Sequence, residues 1–334
     1  MKIEKSKMKK DELRIVFMGT PEFAVETLKA LVDNDYNVVA VVTQPDKPVG
    51  RHGSVLQPSA VKQFALEHRL PVLQPEKMKD SDFIETLRSY KANLQVVVAF
   101  RMLPEVVWAM PEYGTFNVHA ALLPQYRGAA PINWAVINGE TMTGVTTFFL
   151  DHDIDTGRII EQSSFPIPED ADVEYVYDGL MHLGAKICLS TLEKIVASEG
   201  HPQTIAQDIS QFSIPNSQLK SAPKIFKETC RIDWTKEAKR VYDFVRGLSP
   251  YPGAWTTMVD EQGHEMVLKI FRATKTKQPA QGGAGHIVVS DRHLYMCCAD
   301  ALLRIDELQL SGKKRMEAQA FLNGVKDIEK YSVR

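Results

Sequence analysis

An amide at Asn117, an imidazole at His119 and a carboxylate at Asp155 are the side chains whose types and spacing suit acyl-group chemistry. Residues two apart on an extended strand face the same side, so Asn117 and His119 can address one substrate atom. A carboxamide N–H can donate to an oxygen on which negative charge develops, and an imidazole carries or releases a proton near neutral pH. Asp155 can stabilise the imidazolium or take the proton that a nucleophile loses. A single histidine after a strand is commonly a hydrogen-bonded structural residue, but the pairing with Asn117 favours a site. No Gly-x-Ser-x-Gly elbow surrounds the group, and no serine or cysteine lies between Asn117 and Pro131. Direct transfer between bound partners is therefore expected rather than a covalent acyl-enzyme. Asp151, His152, Asp153 and Asp155 are also hard-metal ligand types, but the glycine and terminal glutamate of a calcium loop are out of register. No metal is expected, and Asp153 reads as a solvated or capping residue.

Such a group needs rigid strands beneath it. Ile15–Met18 is a short apolar run, and Val38–Val42, Leu94–Ala99, Thr115–Val118 and Val145–Leu150 are further strand candidates, apolar without strict alternation and interleaved with helical stretches at Ser59–His68, Asp80–Tyr90 and Pro131–Asn138. This predicts an α/β domain with a doubly wound, mostly parallel sheet covered on both faces, with ligands at the carboxyl ends of the strands. Asn117, His119 and the 151–155 loop should fall there. Thr20-Pro21 is read as the first helix start, the hydroxyl as its cap. Gly19-Thr-Pro lacks the later glycines of a dinucleotide fingerprint, which disfavours NAD. Residues 172–198 read as a long closing helix or helix pair, and 204–223 as a linker rich in serine and proline. Beyond it, Val241–Gly247 is helical, and Glu265–Phe271, Gly285–Ser290, Leu294–Cys298 and Ala301–Leu310 are short strands that suggest a small barrel.

The chain of 334 residues is long enough for two domains. The expected division is a disordered tail at 1–12, a catalytic domain at 13–203, the linker and a second domain at 224–334. No apolar run approaches the roughly 20 residues of a membrane span. Cys188, Cys230, Cys297 and Cys298 have neither metal-ligand nor disulfide spacing, which fits packing roles in a reducing, cytoplasmic compartment. Residues 1–222 carry 21 basic and 28 acidic side chains, a net of −7, whereas residues 223–334 carry 19 and 14, a net of +5. Only the second part leans towards a polyanion.

These motifs resemble the methionyl-tRNA formyltransferases over nearly the whole chain. Gly19-Thr-Pro-x-Phe23, Gln44 to Arg51, Asn117-x-His119 with Leu122-Leu-Pro124, Arg127-Gly-Ala-Ala-Pro131 and Ile154-Asp-Thr-Gly157 carry the likeness. In the second domain Arg231-Ile-Asp-Trp234, Pro250 to Trp255 and Leu310 to Met316 set it apart from other folate-dependent formyltransferases. The resemblance implies a Rossmann-like domain followed by an OB-like β-barrel, with 10-formyltetrahydrofolate as formyl donor and initiator methionyl-tRNA as acceptor. It implies Asn117, His119 and Asp155 as the catalytic group. Phe100, Arg101, Met102, Leu103, Ala121, Leu122, Leu123, Pro124 and Asp151 would line the folate pocket. The 44–53 loop with Lys47 and Arg51 would grip the acceptor end, and Lys313, Lys314 and Arg315 are further candidates for phosphate contacts. Trp234 and Trp255 could stack on bases, although core packing is favoured. Ala121 stands where the family commonly has serine, and His52-Gly53-Ser54 replaces a more basic stretch.

Three other readings compete. A formyltransferase acting on a sugar-nucleotide or purine-precursor amine would share the first domain but have no use for a basic second one. A formyltetrahydrofolate hydrolase would release formate without an acceptor. A non-catalytic RNA-binding protein would not need Asn117, His119 and Asp155. A monomer is the expected state.

Overall fold

The computed structural model describes residues 8–49, 55–207, 219–325 and 327–333. Two compact units emerge. The first comprises residues up to Gly128 together with Thr143–Phe165 and Tyr177–Lys220. Strands β1 (Arg14–Gly19), β2 (Asn37–Val42), β3 (Val72–Leu73), β4 (Leu94–Val98), β5 (Thr115–His119), β6 (Met142–Phe149) and β7 (Ile159–Pro166) form a sheet ordered β7-β6-β5-β4-β1-β2-β3. The strands from β3 across to β5 are parallel, and β6 runs antiparallel to β5. Ile15–Met18 and all of β4 are buried, the outcome expected of apolar runs covered on both faces.

Helices α1 (Glu22–Asp33), α2 (Ala60–Glu67), α3 (Ser81–Ser89), α4 (Glu105–Trp108), α5 (Pro131–Ile137) and α6 (Val173–Ala197) complete this stretch of the chain. Ser59 Oγ caps α2 by accepting from the Lys62 amide, and Asp80 caps α3 by accepting from Asp82 and Phe83. The expected Thr20 cap is not formed. Helix α1 begins at Glu22 after Pro21, and Thr20 Oγ1 accepts from the Gln44 amide at 3.4 Å instead. The order of strands reverses at β1 and β4, so the crevice at their carboxyl ends is the topological switch point. Gly19 ends β1 there. A β-carbon on it would lie 2.6 Å from Ala24 Cβ and 3.1 Å from the Val98 carbonyl oxygen, so the close approach of helix and strands requires glycine.

Residues 1–7 of the predicted tail lie outside the described residues. Lys10–Glu12 form a 3-10 turn rather than a disordered end. Lys10 donates to the Asn34 carbonyl and lies 4.3 Å above the Tyr36 ring. A hairpin of Lys47–Val49 and Val55–Gln57 projects after β2. At its base Asp46 accepts from Lys62 and Gln74, at 2.7 Å each.

The second unit comprises Ala129–Met142, Pro166–Val176 and Ser221 onwards, so two stretches from within residues 13–203 fold with the C-terminal residues. Helix α7 (Ala238–Gly247) is followed by β8 (Ala254–Val259), β9 (Glu265–Pro279), β10 (Ile287–Ser290), β11 (His293–Cys297), β12 (Ala301–Leu310), β13 (Met316–Glu317), α8 (Ala318–Gly324) and β14 (Ser332–Val333). The sheet order is β10-β11-β12-β9-β8-β14, with β13 beside β12. These strands pair antiparallel, and register shifts at Ile270–Ala273 and Lys275–Pro279 supply the bends that curl such a sheet into an OB-like half-barrel. Val241 and Val245 of α7 join Leu268, Ile270, Leu303 and Leu308 in the core. On the same helix Arg246 pairs with the buried Asp243 at 2.8 Å and donates to the Ala171 carbonyl at 2.7 Å. Neither charge is left unpaired inside. Trp234 is buried with its indole N–H on Thr256 Oγ1 at 3.1 Å, a core role. All four cysteines are buried and free. No helix among the described residues is long and apolar enough to cross a membrane.

Candidate active site

Asn117 and His119 occupy the middle and end of β5, opposite Phe148 and Thr146 of β6. Directly opposed residues share a face, so these four side chains form one patch. The His119 ring is buried and meets the Phe148 ring edge-on at 6.3 Å. Its Nε2 is 3.0 Å from the Tyr126 carbonyl. A carbonyl only accepts, so Nε2 carries a proton and the tautomer is fixed. Nδ1 is then the nitrogen that faces Asp155 Oδ2, at 4.0 Å. The Asn117 carboxamide is partly exposed and makes no hydrogen bond among the described residues, leaving its N–H groups open to a ligand.

The path that brings Asp155 here differs from the simple expectation of a loop at the carboxyl ends of parallel strands. Because β6 is antiparallel, it ends beside the start of β5, where the Leu150 amide donates to the Thr115 carbonyl at 2.8 Å. The 150–158 loop must double back to reach His119. Asp155 adopts a left-handed backbone with φ +55°. Aspartate tolerates this region better than most residues because its short side chain bonds locally. Here Oδ2 accepts from the Gly128 amide at 2.9 Å. Gly157 permits the return, since a β-carbon there would lie 1.7 Å from the Phe149 carbonyl oxygen.

Supporting residues surround the pair. Thr146 Oγ1 donates to the Ala121 carbonyl at 2.6 Å and accepts from the Leu123 amide at 3.1 Å and Gln162 Nε2 at 2.9 Å. These bonds hold the 121–124 turn, which contains a cis Leu123–Pro124 peptide. Gln207 Nε2 donates to the carbonyls of Asp155 and Gly157, at 3.0 and 2.8 Å. Its Oε1 accepts from Arg127 Nε and Nη2, at 3.2 and 2.7 Å. Burial lowers the Arg127 guanidinium from its ordinary pKa, with Asp155 opposing that shift. Sequence reasoning missed Tyr126, Thr146, Gln162 and Gln207. Nothing in their spacing marks them, since each acts through tertiary contact, and Gln207 falls in the stretch read as linker.

The expected folate-lining residues divide by exposure. Met102 is 72% exposed, and Asp151 is exposed with its carboxylate capping the His152 amide at 2.7 Å. Phe100, Arg101 and Leu122 are partly exposed, whereas Ala121, Leu123, Pro124 and Leu103 are buried. The Ala121 side chain therefore faces protein interior, and the hydroxyl in contact with its carbonyl is that of Thr146. Arg101 donates to the Glu76 carbonyl at 2.9 Å and to the Pro75 carbonyl, and burial lowers its pKa. The 151–155 loop lies against α4, with the His152 ring 5.4 Å from Trp108 and Nδ1 3.9 Å from Glu105. Met102, Val106 and Ile154 are exposed apolar side chains on the segments around these loops.

Of the expected phosphate contacts, Lys47 is exposed on the hairpin and Arg51 lies outside the described residues. Lys313 and Lys314 are exposed and make no ion pair among the described residues. Arg315 donates from Nε and Nη2 to the two carboxylate oxygens of Glu307, at 2.6 Å each, and covers the Phe271 ring at 4.3 Å. It is thus already neutralised by a carboxylate. No cluster of metal-ligating side chains occurs among the described residues.

The profile of the formyl transferase family matches residues 13–192, and that of the formyl transferase C-terminal domain matches residues 224–326. The methionyl-tRNA formyltransferase of Parabacteroides distasonis is 57% identical over 98% of this chain and 100% of its own length. That of Flavobacterium johnsoniae is 46% identical over 94% of this chain and 97% of its own. The chain belongs to the methionyl-tRNA formyltransferase family. Among solved structures, HypX from Aquifex aeolicus in complex with tetrahydrofolic acid superposes with a TM-score of 0.60 at 19% identity. The match covers 95% of this chain and 47% of HypX, so the chain spans about half the length of that protein. The sugar 3N-formyl transferase WlaRD, solved with dTDP and 5-N-formyl-THF, gives a TM-score of 0.62 at 17% identity over 90% of this chain and 99% of its own. At these identities the structural likeness establishes the fold. The two family profiles together cover the α/β stretch that contains Asn117, His119 and Asp155 and the antiparallel strands that follow it.

Proposed function

We propose that the protein transfers the formyl group of 10-formyltetrahydrofolate to the α-amino group of methionine on initiator methionyl-tRNA, as a monomer in the cytoplasm. The observation that carries this reading is the convergence of an open carboxamide at Asn117 with the His119 and Asp155 pair, 4.0 Å apart. The donor supplies the formyl carbon. The acceptor amine, with a reference pKa near 8, attacks as the neutral base. As it adds to that carbon, negative charge develops on the formyl oxygen, and the N–H of Asn117 and the Nδ1–H of His119 in its imidazolium form stabilise it, while Nε2–H stays on the Tyr126 carbonyl. Asp155 balances the charge on the imidazole and accepts or relays the amine proton. The tetrahedral intermediate then collapses as the C–N bond to the folate nitrogen breaks, and that nitrogen leaves with the bonding pair and takes up a proton. The exposed apolar side chains of Met102, Val106 and Ile154 are available to the donor's ring system in this reading. Phosphate contacts from Lys47, Arg51, Lys313 and Lys314 would draw in the RNA, with Arg315 contributing less because Glu307 holds it.

The test is to supply 10-formyltetrahydrofolate with methionyl-tRNA, free methionine or no acceptor, and to follow formyl transfer and formate release. Transfer confined to methionyl-tRNA is expected. Formate release without acceptor would make the protein a hydrolase, and transfer only to small amines would overturn the tRNA assignment.

A further inference from the structure

The stretch that reads as a simple linker between two domains is tied at its start to Asp155 and at its end to Tyr126, the residue that holds His119. At its start, Ile205 and Ile159 exchange backbone hydrogen bonds at 2.8 Å, which fixes the backbone two residues before Gln207. Gln207 then spends both faces of its carboxamide on the 155–157 loop and on Arg127. At the other end, the Lys220 carbonyl accepts from the Tyr126 amide at 2.6 Å, and the Lys220 amide donates to Gln125 Oε1 at 2.8 Å. Tyr126 is the residue whose carbonyl fixes the His119 tautomer.

We propose that Gln207 is a positioning residue that sets the Asp155 carboxylate against His119. This inference rests on the catalytic role assigned to Asp155 above. The bonds form a closed ring: Arg127 to Gln207, Gln207 to the Asp155 carbonyl, Asp155 Oδ2 to the Gly128 amide, and Gly128 back to Arg127 along the chain. The ring closes around a residue in a left-handed backbone, so the same bonds that hold this turn of the loop also set the direction of its carboxylate. Gln207 is suited to this because a carboxamide both donates and accepts. A carboxylate would keep the Arg127 bond but set negative charge against two carbonyl oxygens, and a methionine would form neither set of bonds. Without the restraint, the 150–158 loop can relax and carry the Asp155 carboxylate away from Nδ1. A displacement of about 1 Å at a reacting group can cost roughly a hundredfold in rate.

The experiment is a double-mutant cycle of Gln207→Ala and Asp155→Asn in the full-length enzyme, with Gln207→Glu as a second probe. Gln207→Ala and Gln207→Glu should each lower kcat by about 10- to 100-fold, with KM for methionyl-tRNA and for 10-formyltetrahydrofolate changed less than about threefold. The kcat–pH profile should also change shape in both, a response that a loss of packing alone would not produce. Gln207→Ala should cost little further rate in the Asp155→Asn background, because the group it positions is gone. If Asp155→Asn is inactive while both Gln207 variants keep wild-type kcat, the positioning role is wrong and the catalytic reading stands. Equal losses from Gln207→Ala in both backgrounds also refute it. Full activity of Asp155→Asn would instead remove the catalytic reading itself.

Discussion

Replacing Asp155 by asparagine isolates one charge with little change of shape. In the native site a single oxygen, Oδ2, accepts from the Gly128 amide at 2.9 Å and faces His119 Nδ1 at 4.0 Å. In the Asp155→Asn variant the amide oxygen can occupy the same place and keep the Gly128 bond. Asparagine also tolerates the left-handed backbone that Asp155 adopts. What disappears is the negative charge. Two unit charges 4 Å apart interact by about 4 kcal/mol at an effective dielectric constant near 20. If that attraction stabilises the imidazolium as the reaction proceeds, its loss corresponds to roughly a thousandfold in rate. The assay is single-turnover formyl transfer with enzyme in excess, which separates the chemical step from product release. Exchanging a charged for a neutral acceptor at Gly128 should cost about 1 kcal/mol of stability, or a Tm change of no more than about 4 °C. A single-turnover rate within tenfold of wild type, in a protein of native Tm, would refute the assignment of Asp155 as the partner of His119.

Asn117→Ala removes the open N–H donor and should lower kcat by roughly 10²- to 10³-fold. Because the Asn117 carboxamide makes no hydrogen bond among the described residues, thermal melting should change little, and retained turnover would dismiss it as an oxyanion donor. Alanine at Lys313 or Lys314 should raise KM for tRNA and lessen its salt dependence, by roughly 0.7–0.9 in the log–log slope for each phosphate that is no longer neutralised. Arg315→Ala should do so less, given its bond to Glu307, and an equal effect would show that the ion pair opens for RNA. Burial, with Glu193 nearby, pushes the Tyr36 phenol up to about 12. The unfolded chain releases this proton near pH 10 while the folded protein holds it, so stability should fall as pH rises from about 10 towards about 12. Tyr36→Phe should flatten that fall in urea unfolding, and identical slopes would place the alkaline sensitivity elsewhere.

The parallel core of the first sheet was legible because β1, β2 and β4 are covered on both faces and so read as largely apolar runs, whereas the two-residue edge strand β3 carries too little pattern to be read. Asn117 and His119 were legible as a pair from their spacing alone. Thr20 misled because a hydroxyl before proline is a common helix cap, whereas tertiary contact claims this one for the Gln44 amide. The second unit was legible as a set of short strands but not in its extent. Ala129–Met142 and Pro166–Val176 carry no compositional break, yet they fold with the C-terminal residues. Asn133 Nδ2 donates to the Gly247 carbonyl at 2.9 Å, and a β-carbon on Gly247 would lie 2.8 Å from the Ile137 amide nitrogen. Such complementarity depends on which surfaces meet, and local sequence does not encode it.

Asp155 shows why the site as a whole was less readable than its parts. A left-handed backbone at a residue other than glycine is unfavourable by itself, so no local pattern predicts it. Its stability comes from the room left by the missing side chain of the neighbouring Gly157 and from two distant segments, the Gly128 amide and the carboxamide of Gln207. Gly128 and Gly157 belong to motifs that the sequence displays, while Gln207 lies in a stretch without periodicity. The same arrangement explains why the carboxylate must come from a returning loop. Strand β6 runs against β5, so its own end lies beside Thr115, and only a chain that doubles back can set Asp155 beside His119. The rigidity that proton transfer needs is therefore supplied at this residue by long-range hydrogen bonds rather than by the sheet, which makes the loop's distant supports as sensitive as its own residues.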